Sequence, residues 1–322
     1  MSLQQERVPI SAEAYQIGWV SALPLELEAA KRMLDEEHEN KIPQSRHDHN
    51  VYTLGRIGPH NVVLVCLPSG RMGTNSAAAV GRDMISTFPA LRFILMVGIG
   101  GGVPSEMADV RLGDVVVGRP QQGYGGVVQY DFGKARPDRF EHTGHLNAPP
   151  SILLSAISKL QADKTNTTNE FAKYLSPSIH TRDEAGPDLL FEASYNHENV
   201  EEDHCESCST QRLVKRNERR VGEKTIIHYG LIASGNEVMR SGVERDRINK
   251  EFHGGVLCFE MEAAGLMNNF PCLVVRGICD YSDSHKTKNW QKFAAATAAA
   301  HATRLLLLVP PADISSVRTI AE

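Results

Sequence analysis

The stretch Tyr15-Gln16-Ile17-Gly18-Trp19-Val20-Ser21-Ala22-Leu23-Pro24-Leu25-Glu26-Leu27-Glu28 changes its periodicity half-way along. Up to Leu23 it is a near-continuous apolar run, the pattern of a strand covered on both faces. Beyond it Leu23, Leu27, Ala30 and Leu34 recur at helical spacing, which predicts a helix over Pro24–Glu39. Pro24 suits a first helical position, where its missing N–H costs nothing. The same alternation continues along the chain. Further apolar, β-branched runs lie at Asn61–Pro68, Arg92–Gly98, Asp114–Gly118, Ile226–Ser234, Val256–Met261 and Cys272–Asp280, with helical patterns over Ser76–Phe88 and Asn289–Leu308. Strands alternating with helices predict an α/β domain with a largely parallel or mixed sheet.

The rhythm breaks between about residues 159 and 224, a polar region of mixed charge with an acidic piece at Glu198–Asp203 and a basic piece at Arg212–Arg220. A structureless segment of that length is improbable inside a compact domain, so it is read as a long, partly ordered polar insertion. The boundaries follow: an N-terminal extension over 1–14, one domain over 15–309, and a tail or linker over 310–322.

At 322 residues, with 41% apolar and 23% charged residues, the chain can bury a full core. Its net charge of −5 argues against a nucleic-acid or anionic-membrane binder. No stretch approaches the roughly 18 consecutive apolar residues of a membrane span. The N-terminus lacks an apolar signal core, so a cytoplasmic protein is expected. Four of the six cysteines lie in apolar segments, where they act as small hydrophobes, and a disulfide framework is not expected.

Four segments offer chemistry. Glu26 falls in the first turn of the first helix, where the helix dipole favours an ionised carboxylate, as a general base requires; acidic residues are also common in first turns merely as dipole partners, so both readings stand. The glycines of Gly98-Ile99-Gly100-Gly101-Gly102 follow a strand over Phe93–Val97 and would let a ligand approach backbone N–H groups, unless they form a plain tight turn. Ser69-Gly70-Arg71-Met72-Gly73 follows another strand at the same sheet edge, where open α/β sheets bind ligands. Glu260 and Glu262 bracket Met261 at a strand end; a sugar diol would satisfy a carboxylate there, and so would a structural ion pair with Arg276. Asp280 ends an apolar strand, where an apolar site would favour its neutral form and equip it to protonate a leaving group; the alternative is an N-cap or loop aspartate.

The order and spacing of these segments resemble those of the purine/uridine phosphorylases and methylthioadenosine/adenosylhomocysteine nucleosidases, from about Tyr15 to Val309. FEMEAAG (Phe259–Gly265) and VVRGICD (Val274–Asp280) are the most specific pieces, supported by SALPLELEA, VGIGGGV and RLGDVVV (Arg111–Val117). HYGLIASGN (His228–Asn236) and GICDYSDSHK (Gly277–Lys286) look like the fungal branch, found ahead of NTPase and repeat modules. The resemblance implies a single domain with a mixed central sheet flanked by helices, a homo-oligomer, a purine nucleoside or nucleotide as ligand, and no cofactor. It implies that Glu26 activates water, Glu262 grips the ribose hydroxyls beside Met261, and Asp280 protonates the purine at N7. Gly98, Gly100, Gly101, Asn236, Val238, Met239, Glu260 and Arg276 join the expected substrate-binding set.

The sequence departs from the phosphorylases at Met96, where an arginine is expected, at Ile99, where serine is common, and in lacking their Gly-Asp-Pro-x-x-Arg loop. Phosphorolysis needs several cationic or N–H donors for phosphate, so hydrolysis is expected, with a phosphate-dependent phosphorylase and a catalytically silent nucleotide-sensing module as alternatives. The nucleosidases' stacking aromatic is replaced by Val238. No GxGxxG opens a helix after the first strand, against a dinucleotide enzyme. Arg212, Lys215, Arg216 and Arg219 are candidates for a 5′-phosphate chain, which would admit ATP; alternatively they pair with Glu201, Glu202 and Asp203. Cys205 and Cys208, near His197 and His204, form a single CxxC where a structural zinc site wants four ligands. They are read as free thiols in a loop, with a zinc site at Cys205 and Cys208 as the alternative.

Overall fold

The computed structural model describes residues 10–39, 41–163, 174–175, 181–198, 205, 207–219 and 225–321. Its strands are β1 (Ile17–Ser21), β2 (Glu36–His38), β3 (Tyr52–Ile57), β4 (His60–Cys66), β5 (Phe93–Gly102), β6 (Val115–Gly118), β7 (Val127–Gln129), β8 (Gly133–Ala135), β9 (Phe140–His142), β10 (Ile227–Ser234), β11 (Val256–Glu260) and β12 (Cys272–Asp280). The helices are α1 (Pro24–Lys31), α2 (Thr74–Thr87), α3 (Ser151–Ala162), α4 (Arg182–Ala185), α5 (Gly242–Glu251), α6 (Ala263–Met267), α7 (Gln291–Leu307) and α8 (Pro311–Ser316).

Ten strands form one mixed sheet in the order β11-β10-β6-β12-β5-β1-β4-β3-β2, with β7 alongside β10. β1 runs parallel to both β4 and β5, whereas β3 and β6 run antiparallel to β4 and β12. β11 pairs with β10 and, antiparallel, with the far end of β5, so one end of the sheet curls back on itself. Each of the seven apolar runs contains one of these strands, because continuous apolarity is what burial on both faces demands. Alternate residues serve opposite layers: Ile94 and Met96 face a core that includes Val80, Met84 and Leu266, while Phe93, Leu95 and Val97 face one that includes Ala295, Ala299 and Leu305. No helix among the described residues is long and apolar enough to cross a membrane.

The structure departs from the sequence reading in four places. α1 stops at Lys31 rather than Glu39, because the chain turns there into the edge strand β2, which pairs with β3. The glycine run is not a turn. β5 continues to Gly102, and none of its glycines has a positive φ. α3 runs past the expected start of the insertion, with Leu160 buried, and farther on Leu190, Phe191 and Cys208 are buried too. Residues 1–9 of the expected N-terminal extension lie outside the described residues, while the segment expected as a tail carries α8 and packs on the body: Ile314 is fully buried, and the Ile320 N–H donates to the Leu91 carbonyl.

Ile314→Ala is therefore expected to lower stability by about 2–5 kcal/mol in chemical denaturation, a core truncation. Asp313→Ala, one residue earlier on the exposed side, should cost under about 1 kcal/mol. Equal, negligible effects would make the segment a true tail.

Candidate active site

Arg276 lies in β12 directly opposite Gly98 of β5, and its side chain is 1% exposed. One guanidinium nitrogen bonds the Glu260 carboxylate and lies 3.5 Å from Glu262 Oε2; the other is 4.0 Å from Glu26 Oε1 and donates to the Ile99 carbonyl at 3.3 Å. Glu26 stands at the third position of α1 and caps it. Its Oε2 accepts the Ala22 and Leu23 N–H groups at 2.6 and 3.0 Å, and its Oε1 accepts the Ile99 N–H at 2.7 Å. Glu260 ends β11 and accepts the Glu262 and Ala263 N–H groups, while Glu262 accepts the Gly73 N–H at 3.3 Å. The ion pair between Glu260 and Arg276 that the sequence left open is thus present, and it draws Glu262 and Glu26 with it.

Three buried carboxylates share one cation, and the titration follows. Burial pushes Glu262 up, Arg276 and the Gly73 N–H oppose, and Glu260 and Glu26 add to the rise; the result is about 7. Burial likewise raises Glu26 against the pull of Arg276 and three N–H groups. Burial works against the Arg276 charge, but Glu260, Glu262 and Glu26 outweigh it and hold its pKa above the ordinary range.

Asp280 differs from expectation. Burial would favour its neutral form, but the Lys286 ammonium, 2.9 Å from Oδ1, with the Ser282 N–H and the Cys279 thiol, holds its pKa below the usual carboxylate range. It is a buried carboxylate with its own cation. β12 bulges between Ile278 and Asp280, and Ser282 has φ +53°, which turns the chain so that Ser282 can cap Asp280. Ser282 Oγ is buried and has no hydrogen-bond partner among the described residues.

One cleft is lined by Glu26, Gly100, Gly101, Val238, Met239, Glu260, Met261, Glu262, Arg276 and Asp280. Met72, Ile99, Arg240, Phe259, Ser282, Lys286 and Lys288 are also among the residues of its walls. Met72 and Ile99 lie in the two glycine-rich segments expected at the ligand edge, but none of the seven was expected as a site residue; Lys286 stands within the GICDYSDSHK stretch, but nothing in that stretch reveals that the turn folds its ammonium back onto Asp280.

Other expected site residues lie elsewhere. Gly98 does not line the cleft: a Cβ there would sit 2.3 Å from Glu26 Oε1 and 2.6 Å from an Arg276 nitrogen, so its bareness makes room for protein side chains. Asn236 is tied to Thr74 and Asp131. The basic run does not reach the cleft either. Arg212 pairs with Glu192, Arg216 with Asp188 and the Tyr281 hydroxyl, and Arg219 grips both oxygens of the fully buried Asp114; Lys215 is exposed. These acids belong to other parts of the chain; Glu201, Glu202 and Asp203 lie outside the described residues. Cys205 and Cys208 lie behind the Asp280 turn beside His285, with both thiols free; His204 lies outside the described residues.

A family model described as the phosphorylase superfamily matches residues 16–309. The chain belongs to this superfamily. Over 321 residues, 98% of the chain, it is 46% identical to a nucleotide-binding leucine-rich repeat (NLR)-like protein of Hyaloscypha variabilis, of which it spans 31%. It is 24% identical over 288 residues, 87% of the chain, to ATP nucleosidase Cap17 of Escherichia coli, of which it spans 48%. It thus spans less than half of the length of each of these two relatives. The phosphorylase-superfamily fold recurs in the 5′-methylthioadenosine/S-adenosylhomocysteine nucleosidase of Neisseria meningitidis in complex with methylthio-immucillin-A, at a TM-score of 0.57 and 17% identity, over 90% of this chain and 98% of that one.

If the packing at β5 is as tight as the geometry requires, Gly98→Ala will cost about 1–3 kcal/mol of stability, the usual penalty for overfilling a close-packed site. A variant as stable as wild type in urea would show that Glu26 and Arg276 have room to yield.

Proposed function

We propose that this phosphorylase-superfamily domain is a nucleosidase that hydrolyses the N-glycosidic bond of an adenine nucleoside or nucleotide. The supporting observation is that Glu26, Glu262 and Asp280, far apart in sequence, line one cleft. In this reading Glu262 accepts hydrogen bonds from the ribose 2′ and 3′ hydroxyls beside Met261, and Val238 and Met239 flank the base. A water held by Glu26 attacks the anomeric carbon and gives its proton to Glu26. The bond to N9 breaks, and its electron pair leaves with the base. As charge develops on the purine, a proton passes from Lys286 through Asp280 to N7. Because Asp280 is held ionised at rest, the pair carries that proton rather than the carboxyl alone. Positive charge building on the ribose, as in glycoside hydrolysis generally, is stabilised by the cluster in which three carboxylates share Arg276.

The same charge balance favours water over phosphate as nucleophile. Arg276 is already shared by three carboxylates and the Ile99 N–H is given to Glu26, so a phosphate dianion would meet net repulsion. Arg240 and Lys288 line the cleft and supply the cations that a 5′-phosphate chain needs, in place of the basic run. ATP is therefore within the proposed substrate range, in keeping with the name of the Escherichia coli relative. We further propose that the domain works within a larger NTPase/repeat protein, as the Hyaloscypha relative suggests.

Incubation with adenosine, AMP, ATP, inosine and methylthioadenosine, with and without phosphate, is expected to release adenine from at least one adenine compound and to yield no ribose 1-phosphate. Release that requires phosphate would make the domain a phosphorylase; no adenine from any of them would leave only a binding module. Glu26→Gln should lose about 10²–10⁴-fold in kcat while remaining folded.

The pH profile carries a sign. Both Glu262 and Glu26 are raised and must be ionised to act, so kcat/KM should fall as pH drops through about 7, approaching tenfold per unit. The alkaline limb should lie beyond the ordinary lysine pKa of about 10.4, because Asp280 holds the Lys286 proton more tightly. A rate unchanged between about pH 8 and pH 5 would contradict the assignment of these carboxylates.

A further inference from the structure

Behind the Asp280 turn, His197, Cys205, Cys208 and His285 bring four ligand atoms within 4.8 Å of one another. We propose that these residues form a structural zinc site of two thiolates and two imidazoles, which fastens the polar insertion to the turn that carries Asp280 and Lys286. His285 comes from that turn; the other three come from the insertion.

The distances are those of a zinc tetrahedron. With Zn–S near 2.3 Å and Zn–N near 2.05 Å, a tetrahedral sulfur-to-nitrogen edge is about 3.6 Å. His285 Nδ1 lies 3.7 Å from Cys205 Sγ and 3.6 Å from Cys208 Sγ. The remaining edges of such a tetrahedron are about 3.4–3.8 Å, and with every ligand atom within 4.8 Å of the others closing on an ion shortens any one separation by no more than about 1.4 Å. The two cysteines are presented by a tight turn in which the Cys208 N–H donates to the Cys205 carbonyl at 3.2 Å. Neither forms a disulfide.

The surroundings prepare His285 as a ligand. Its Nε2 is 3.0 Å from the Tyr195 carbonyl, which accepts a hydrogen there, and this tautomer leaves the Nδ1 lone pair facing both thiols. A second nitrogen bonded to a backbone carbonyl is the usual support for a metal-bound histidine. The ring is stacked on Phe191 at 4.0 Å and on Tyr195 at 5.3 Å, so its orientation is set by packing. The His197 backbone N–H donates to Ser284 Oγ at 2.9 Å, which pins the fourth ligand next to the turn. Thiolates with imidazoles suit zinc and exclude the oxygen-seeking magnesium and calcium. Four protein ligands leave no open position, the mark of a structural rather than catalytic ion. Counting one CxxC in the sequence gave only half the set, because His285 lies 77 positions beyond Cys208.

The test uses the full chain, prepared under reducing conditions without chelator or metal-affinity purification. Elemental analysis by mass spectrometry should find about one zinc per chain. Cobalt(II) added to chelator-stripped protein should give the visible absorption of a tetrahedral thiolate-bound ion, displaced by one equivalent of zinc. The Cys205→Ser/Cys208→Ser double variant should retain less than a tenth of the wild-type zinc; should it fail to fold, the cobalt spectrum of the wild-type chain decides. Removal of the ion should lower Tm, and zinc but not magnesium should restore it. Wild-type protein that holds no zinc and gives no cobalt spectrum, or a Cys205–Cys208 disulfide that persists under reduction, would overturn the proposal. Neither readout depends on nucleosidase activity, so it can fail or succeed independently of that reading.

Discussion

A guanidinium buried to 1% exposure needs anionic partners, and Arg276 draws them from three points of the chain: Glu26 at the start of α1, and Glu260 and Glu262 on either side of the β11 end. The cleft's geometry depends on this cluster. Gly98 is bare because Glu26 and Arg276 occupy the volume a side chain would fill. Glu26 is locked by the backbone N–H groups of Ala22, Leu23 and Ile99, which binds the β1–α1 junction to β5. One cation against three carboxylates leaves the pocket short of positive charge. That shortage raises Glu262 and Glu26, and it suits a ligand whose bond breaking builds positive charge on a sugar.

At the end of β12 the cleft is arranged differently. Asp280 is held ionised by Lys286, on a turn made possible by the β12 bulge and by the left-handed Ser282. A carboxylate with a private ammonium stores its proton on the partner, so in the proposed mechanism the acid function belongs to the pair. The cleft therefore keeps two electrostatic compartments apart: an anion-rich one around Arg276 and a neutral pair at Asp280 and Lys286.

The described residues of the insertion contribute to this arrangement without lining the cleft. In its basic run Arg219 grips Asp114 of the body, while Arg216 pairs with Asp188 of the insertion itself and with the hydroxyl of Tyr281, the residue next to Asp280. The proposed metal ligands act on the same turn from the other side through His285. The long polar segment thus braces the loop that presents Asp280 and Lys286.

Much of the fold was legible because burial on both faces forces continuous apolarity, and every apolar run holds a strand. The edge strand β2 and its half-exposed neighbour β3 were not, since a short, partly polar strand carries no such signature. The sequence by itself determined the α/β class, the superfamily motifs and the acids of the cleft, because each sits at a strand or helix end where local pattern speaks. Only the tertiary structure decided which cations those acids meet. Whether Asp280 is neutral or ionised, whether Arg216 and Arg219 face a ligand or Asp188 and Asp114, and whether His285 joins Cys205 and Cys208 all depend on contacts between residues remote in sequence. Charge interactions act through space and leave no periodicity along the chain.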